Sequence, residues 1–71
     1  MEKKIIKLIS KIIKVDLSNI TKNSCAEDFD TWDSLSHVRI ILELEKFKKR
    51  KITTSESIKL NSIKAIIKFL K

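Results

Sequence analysis

The sequence contains no glycine and no proline, and it has a single cysteine. Without glycine, a phosphate-binding loop of the glycine-rich kind is excluded. Turns must be built by Asn, Asp, Ser and Thr, whose side chains bond their own backbone. Cys25 alone cannot form an internal disulfide or a zinc site, so we expect it to be a plain loop or half-buried thiol.

Long hydrophobic runs are also absent, since the longest are the three-residue runs 40–42 and 65–67. The sequence therefore predicts no membrane span. Lys7 and Lys11 interrupt the one segment that could resemble a signal peptide, and we expect a cytoplasmic protein. A content of 42% hydrophobic and 35% charged residues is typical of a globular domain. We expect residues 1–71 to form one domain that buries about 60% of its unfolded surface.

The net charge of +7 is unevenly distributed. Residues 1–15 carry five lysines against one glutamate, and residues 48–71 carry eight bases against one glutamate. Residues 16–47 carry seven acidic residues against three basic ones. The middle of the chain is thus acidic within a basic protein, which weakens the case for a polyanionic partner.

Apolar residues recur at helical spacing, and no segment alternates as a strand would. The pattern predicts an all-α fold, a small bundle of three main helices plus one short helix. The three main helices are predicted at 2–14, 34–48 and 63–70, and the short helix at 55–59. Asn61 or Ser62 can cap the last helix.

The predicted apolar stripes are Ile5, Leu8, Ile9, Ile12 and Ile13 in the first helix; Leu35, Val38, Ile41, Leu42 and Leu44 in the second; and Ile63, Ile66, Ile67 and Leu70 in the last. Between the first two helices, residues 15–33 lack a clear period. A loop of this length is usually functional or pinned by its own side chains. The predicted pins are Val15, Leu17, Ile20, Phe29 and Trp32.

Catalytic groupings are missing from the sequence. His37 is the one histidine, and no Cys, His, Asp or Glu residues have the spacing of metal ligands. We expect His37 to be a surface or boundary residue of the second helix. A small bundle also offers little concave volume for an active site, so we predict no enzyme.

Ser34 stands where the acidic loop becomes a helix, and it allows two interpretations. Asp33 can cap the helix by accepting backbone N–H bonds, with Ser34 merely the first helical residue. Alternatively, a hydroxyl exposed at a helix N-terminus can be esterified by a phosphate, because free N–H groups and partial positive charge favour an anion there.

The stretch DFDTWDSLSHVRIILELE resembles the signature of acyl and peptidyl carrier proteins, in which Asp-Ser-Leu opens the second helix. The resemblance extends along nearly the whole chain: KKIIKLISKII is similar to the family's first helix, VDLSNITKNSCAEDF to its long loop, and ITTSESIKLNSIKAIIKFL to its last two helices.

This resemblance implies that Ser34 carries a 4′-phosphopantetheine arm, added from coenzyme A by a phosphopantetheinyl transferase. The arm would hold an acyl or aminoacyl group as a thioester. An acyl- or aminoacyl-loading ligase and downstream transferases would be the partners, and we expect a monomer. By the same resemblance Asp33 and Leu35 assist recognition beside the arm, and Val38 and Leu42 face partners or cargo. Ile58 and Ile63 are candidate walls of a shelter for the acyl chain, or ordinary core.

Two positions differ from the family's usual pattern. Thr31 replaces the common glycine and is followed by Trp32, as in stand-alone carriers of specialised pathways, although Trp32 can equally cover the core. Arg39 stands where acidic carriers have a carboxylate. It can select a dedicated partner, or it can form an exposed ion pair with Glu43.

Two other functions remain open at this point. The basic ends, with Lys48 to Lys51 as phosphate contacts, suit a helical nucleic-acid-binding domain. Residues 2–14 could lie on a membrane surface as an amphipathic helix. The acidic loop before the second helix argues against the first, and the need for a core argues against the second.

Overall fold

A computed structural model describes residues 2–71, most of which lie in four α-helices. They are α1 (Glu2–Ile13), α2 (Ser34–Lys48), α3 (Thr54–Lys59) and α4 (Ile63–Leu70). No strand occurs within the described range. The predicted all-α bundle with one short helix is therefore confirmed, and no predicted helix boundary is off by more than one residue.

Isoleucine makes up most of the core, which lies between α1, α2 and α4. Each fully buried side chain of this size stabilises the fold by about 1.5–3 kcal/mol. In α1, Leu8 and Ile12 are only half-buried, so the buried stripe is narrower than the predicted one. The buried helix residues are Ile5, Ile9 and Ile13 in α1, Ile40, Ile41 and Leu44 in α2, and Ile63, Ile66, Ile67 and Leu70 in α4.

The helix ends show how a chain without glycine makes its turns. Ser62 caps α4, where its Oγ accepts the N–H of Ala65 at 3.1 Å. The last turn of α1 closes with a hydrogen bond from the Val15 N–H to the Ser10 carbonyl. Lys14, the residue that directly follows the helix, has φ 57°. A left-handed residue with such a bond is a common helix stop, usually made by glycine.

The long loop is more ordered than its sequence suggested. It contains two single 3-10 turns, Leu17–Asn19 and Ala26–Asp28. An isolated antiparallel bridge joins Cys25 to Ser62 and so fastens the loop to the start of α4. Its two hydrogen bonds run from the Ala26 N–H to the Asn61 carbonyl (2.8 Å) and from the Ile63 N–H to the Ser24 carbonyl (3.0 Å).

Four of the five predicted loop pins lie in or against the core. Ile20 and Trp32 are buried, and Val15 and Phe29 pack against the core from its edge. The prediction for Leu17 was wrong, because its side chain is exposed. It lies instead against the lysine-rich start of α1, beside Lys3, Lys4 and Lys7.

The segment between α2 and α3 is held by polar contacts. Glu45 accepts the backbone N–H of Ile52 at 2.7 Å. The Arg50 guanidinium donates two hydrogen bonds to Glu56, at 3.2 and 2.8 Å, and lies over the Phe69 ring. Because α3 has no buried side chain of its own, these contacts help fix its position against α4.

Candidate functional site

Ser34 is the first residue of α2 and is exposed. Its position follows from Asp33, which has an extended backbone (φ −91°, ψ −174°) and caps the helix. The Asp33 Oδ1 accepts the N–H of Ser36 at 2.9 Å. The cap expected from the sequence is therefore present, and the Ser34 hydroxyl lies at the helix N-terminus, where N–H groups and the helix dipole favour an anion.

The Asp33 carboxylate is an anion in this setting. The backbone N–H of Ser36, as the main cause, holds the pKa of Asp33 below its ordinary value of 3.8. A charged carboxylate thus lies beside an exposed hydroxyl. The negative charge of this carboxylate strengthens the helix start.

A shallow depression of about 470 Å³ lies next to Ser34. It brings together the end of the loop, the first turn of α2 and the α3–α4 region. The residues that line it are Ala26, Trp32, Asp33, Ser34, His37, Ile58 and Asn61. Of these, Ala26 has no sequence signal and Asn61 was considered only as a cap of the last helix, because no local pattern indicates the bridge that brings them there.

His37 is half-buried at one side of this depression and bonds two other elements. The Trp32 Nε1–H donates to His37 Nδ1 at 3.0 Å, and His37 Nε2 lies 2.9 Å from the Ser57 carbonyl oxygen. The expectation of a boundary residue on α2 is confirmed, but its two bonds were not foreseen. The one sequence signal is that the single Trp and the single His are five residues apart across a helix cap.

One face of α2 exposes apolar side chains. Leu35, Val38 and Leu42 are 64%, 53% and 53% exposed, and their i, i+3, i+7 spacing places them on the same side of the helix. Arg39 is also exposed, whereas Glu43 is half-buried. The structure therefore brings the predicted recognition residues onto one face that begins at Ser34.

The possible ion pair between Arg39 and Glu43 is not formed. Glu43 pairs instead with Lys46, whose Nζ lies 3.0 Å from its Oε2. Among residues 2–71, no carboxylate lies within 4.0 Å of Arg39 as an ion-pair partner. Arg39 thus presents an unneutralised cation on the exposed face of α2.

Ile58 and Ile63 do not line a common wall. Ile63 is fully buried, whereas Ile58 is 69% exposed beside the Ser34 depression. The interpretation of Ile63 as ordinary core is therefore the correct one.

Two other kinds of site are not found in the described part of the chain. Across residues 2–71, no three His, Cys, Asp or Glu side chains are grouped so that they could hold a metal ion. Within the same range, no helix has the length and apolar character that crossing a membrane requires.

No family model matches the sequence. The chain is, however, 33% identical over 70 residues to the acyl carrier protein of Buchnera aphidicola subsp. Schizaphis graminum (strain Sg). The alignment covers 99% of this chain and 89% of that relative. This chain belongs to the acyl carrier protein family. It is therefore a carrier protein, and the resemblance seen in the sequence is confirmed.

The phosphopantetheine group of this family needs an exposed hydroxyl to which its phosphate can be joined. Ser34 meets this requirement, since it is exposed at a helix start and borders an open depression. The described residues thus fit the group. The comparison gives no support to the nucleic-acid alternative, and the face of α2 that begins at Ser34 is mainly apolar.

Proposed function

We propose that the carrier holds its acyl group as a thioester on a 4′-phosphopantetheine arm joined to the hydroxyl of Ser34. The observation that carries this assignment is the exposed Ser34 hydroxyl at the first position of α2, directly after the Asp33 cap. When bound, the arm supplies the thiol that forms and exchanges the thioester. The helix N-terminus stabilises the negative charge of the phosphodiester.

The chain's own residues act in attachment and docking. Asp33 keeps the first turn of α2 in place and offers a carboxylate to a phosphopantetheinyl transferase. Leu35, next to the attachment point, contributes an apolar contact to that enzyme. Val38 and Leu42 continue the same face for enzymes that load or unload the arm, since exposed apolar side chains on one face are typical of contact surfaces.

The pathway we propose is a specialised one, with a dedicated ligase that loads an acyl or aminoacyl group and transferases that remove it. Arg39 supports this, because an unneutralised cation on the docking face repels the basic patches that suit acidic carriers. The basic segment that follows α2 has the same effect. We further propose that residues 1–71 act as one monomeric carrier domain in the cytoplasm and do not bind nucleic acid.

The experiment that tests the attachment site is intact-mass spectrometry after incubation with coenzyme A and a broad-specificity phosphopantetheinyl transferase. The wild-type chain should gain the mass of one phosphopantetheine group, and Ser34→Ala should gain none. Ser36→Ala is the matched control, because it removes a hydroxyl two residues away on the same helix, and it should be modified like the wild type.

Two results would contradict the proposal. One is an unmodified wild-type chain under conditions in which another carrier is fully loaded. The other is modification of Ser34→Ala, which would place the attachment on a different residue. Circular dichroism of Ser34→Ala should match the wild type, so that lost modification is not confused with lost folding.

A further inference from the structure

His37 joins three parts of the molecule beside Ser34. Its backbone N–H donates to the Asp33 carbonyl at 2.9 Å in the first turn of α2. Its ring bonds Trp32 at the end of the loop and Ser57 in α3. The Trp32 and His37 rings are close to parallel, with centroids 6.3 Å apart and planes inclined by 28°.

These bonds fix the tautomer of the ring. An indole N–H only donates and a backbone carbonyl only accepts. His37 Nδ1 must therefore accept from Trp32, and His37 Nε2 must carry the proton that is donated to Ser57. This is the Nε2–H tautomer.

The position of α3 depends strongly on such polar bonds. It is six residues long and buries none of its side chains. The Arg50–Glu56 pair fastens its first half to the segment after α2, and the bond from His37 fastens Ser57 to the head of α2. Loss of the second bond would free the part of α3 that carries Ile58 next to Ser34.

The charged groups around the ring come from each neighbouring element. Asp33 is the one charged residue that lines the same depression. On α3, Glu56 is bound to Arg50 and Thr53, and Lys59 is exposed. On α2, Arg39 is exposed two residues further along.

We propose that His37 is a positioning residue for the Ser34 site: its ring holds Trp32 and α3 in the arrangement that partner enzymes recognise. The part that concerns enzymes rests on the proposed function of Ser34. The part that concerns the bridge does not, because it can be measured on the unmodified chain.

Three variants separate the two bonds. Trp32→Phe removes the indole N–H and keeps an aromatic ring. His37→Asn keeps an acceptor near the Nδ1 position but does not reach Ser57. His37→Gln keeps a donor near the Nε2 position, so it retains the bond to α3 but lacks the Nδ1 acceptor for Trp32.

The bridge itself is tested by fluorescence, since Trp32 is the one tryptophan in the chain. The emission of Trp32 should shift in His37→Gln, which lacks the Nδ1 acceptor, and should stay close to that of the wild type in His37→Asn, which keeps an acceptor there. Identical emission from the wild type and His37→Gln would overturn the proposal.

The effect on the site is tested by transferase kinetics. The His37→Asn chain should be modified less efficiently than the wild type in kcat/KM, by roughly two- to tenfold, the factor that corresponds to one hydrogen bond. His37→Gln keeps the bond to Ser57 and should recover most of this loss.

Opposite results are equally informative. Equal kcat/KM for His37→Asn and the wild type would overturn the positioning role. Failure of the wild-type chain to be modified would instead refute the assignment of Ser34, and with it the role towards enzymes, while the fluorescence comparison still decides whether the bridge exists. Trp32→Phe should also be modified less efficiently than the wild type, and an unchanged kcat/KM would overturn the part of the role assigned to Trp32.

Discussion

Two sets of aliphatic side chains on α2 lie in contrasting surroundings. Ile40, Ile41 and Leu44 are buried against α1 and α4, whereas Leu35, Val38 and Leu42 are each more than half exposed. Both sets are apolar and recur at helical spacing. The difference teaches that α2 has one apolar face that contributes to the core and a second one that lies towards water.

The contrast between the buried and the exposed set can be tested by shortening one residue from each. We expect Ile40→Ala to lower the free energy of unfolding by about 2–5 kcal/mol, because it leaves a cavity in a fully buried site. Leu42→Ala should change it by no more than about 0.5 kcal/mol, as is usual at the surface. Urea unfolding followed by circular dichroism measures both. Equal losses would mean that the two faces are not distinct.

The rate of loading should depend on the exposed set instead. Leu42→Ala should reduce the rate at which the loading ligase charges the carrier, by roughly fivefold or more if Leu42 is a central contact. Leu17→Ala is the matched control, because Leu17 is an exposed leucine beside α1 rather than on α2. If the Leu17 and Leu42 variants are loaded equally well, the exposed face of α2 is not the docking surface.

Arg39 gives the exposed face of α2 a positive charge, whose effect on partner choice can be tested separately. We expect Arg39→Glu to speed loading by enzymes of ordinary fatty-acid synthesis and to slow loading by the dedicated ligase, by roughly threefold in each direction. The effect should be larger at low salt, since ions screen exposed charges.

Lys11→Glu makes the same change of charge on α1 and serves as the control for Arg39→Glu. If Arg39→Glu is loaded at unchanged rates by both kinds of enzyme, Arg39 is only a solvated surface residue. Equal changes for the two variants would point to net charge rather than position.

The smallest effect concerns α3, which carries the exposed Ile58. The hydrogen bonds from Arg50, as the main cause, lower the pKa of Glu56 from 4.5 to about 2. A carboxyl group whose pKa is lowered by folding stabilises the folded state above its unfolded pKa. This contribution should be complete above pH 4.5 and should be lost as pH falls towards 2.

Thermal unfolding across this pH range measures the effect. The Tm of the wild-type chain should approach that of Glu56→Gln as pH falls, because the variant has no carboxylate to protonate. A constant difference between the two from neutral pH to pH 2 would contradict the role of the Arg50–Glu56 pair.

Helix positions could be predicted from the sequence because they depend on local features. The caps at Asp33 and Ser62 fixed the starts of α2 and α4, and the isoleucine spacing fixed the core faces of α1 and α4. The core face of α2 was less clear. The predicted stripe omits the buried Ile40 and wrongly includes Leu35, Val38 and Leu42, which are exposed. Apolar residues occur on two sides of this helix, and spacing alone does not show which side is buried.

Features that depend on distant residues could not be predicted. The bond from His37 to Ser57 joins residues twenty positions apart through a backbone carbonyl, which no side-chain pattern marks. The bridge between Cys25 and Ser62 is of the same kind. Of the candidate site, the attachment serine and its cap followed from the sequence, whereas the depression beside it required the fold.

Lys14 and Lys49 end α1 and α2 with φ near +57°, a conformation in which glycine is usual. Each lysine raises the free energy of the folded state by about 1 kcal/mol through contact between its Cβ and the backbone. A glycine there would have more conformational freedom in the unfolded chain, which costs about 0.5–1 kcal/mol on folding. The two effects nearly cancel, so the absence of glycine leaves the balance between folded and unfolded states almost unchanged at both positions.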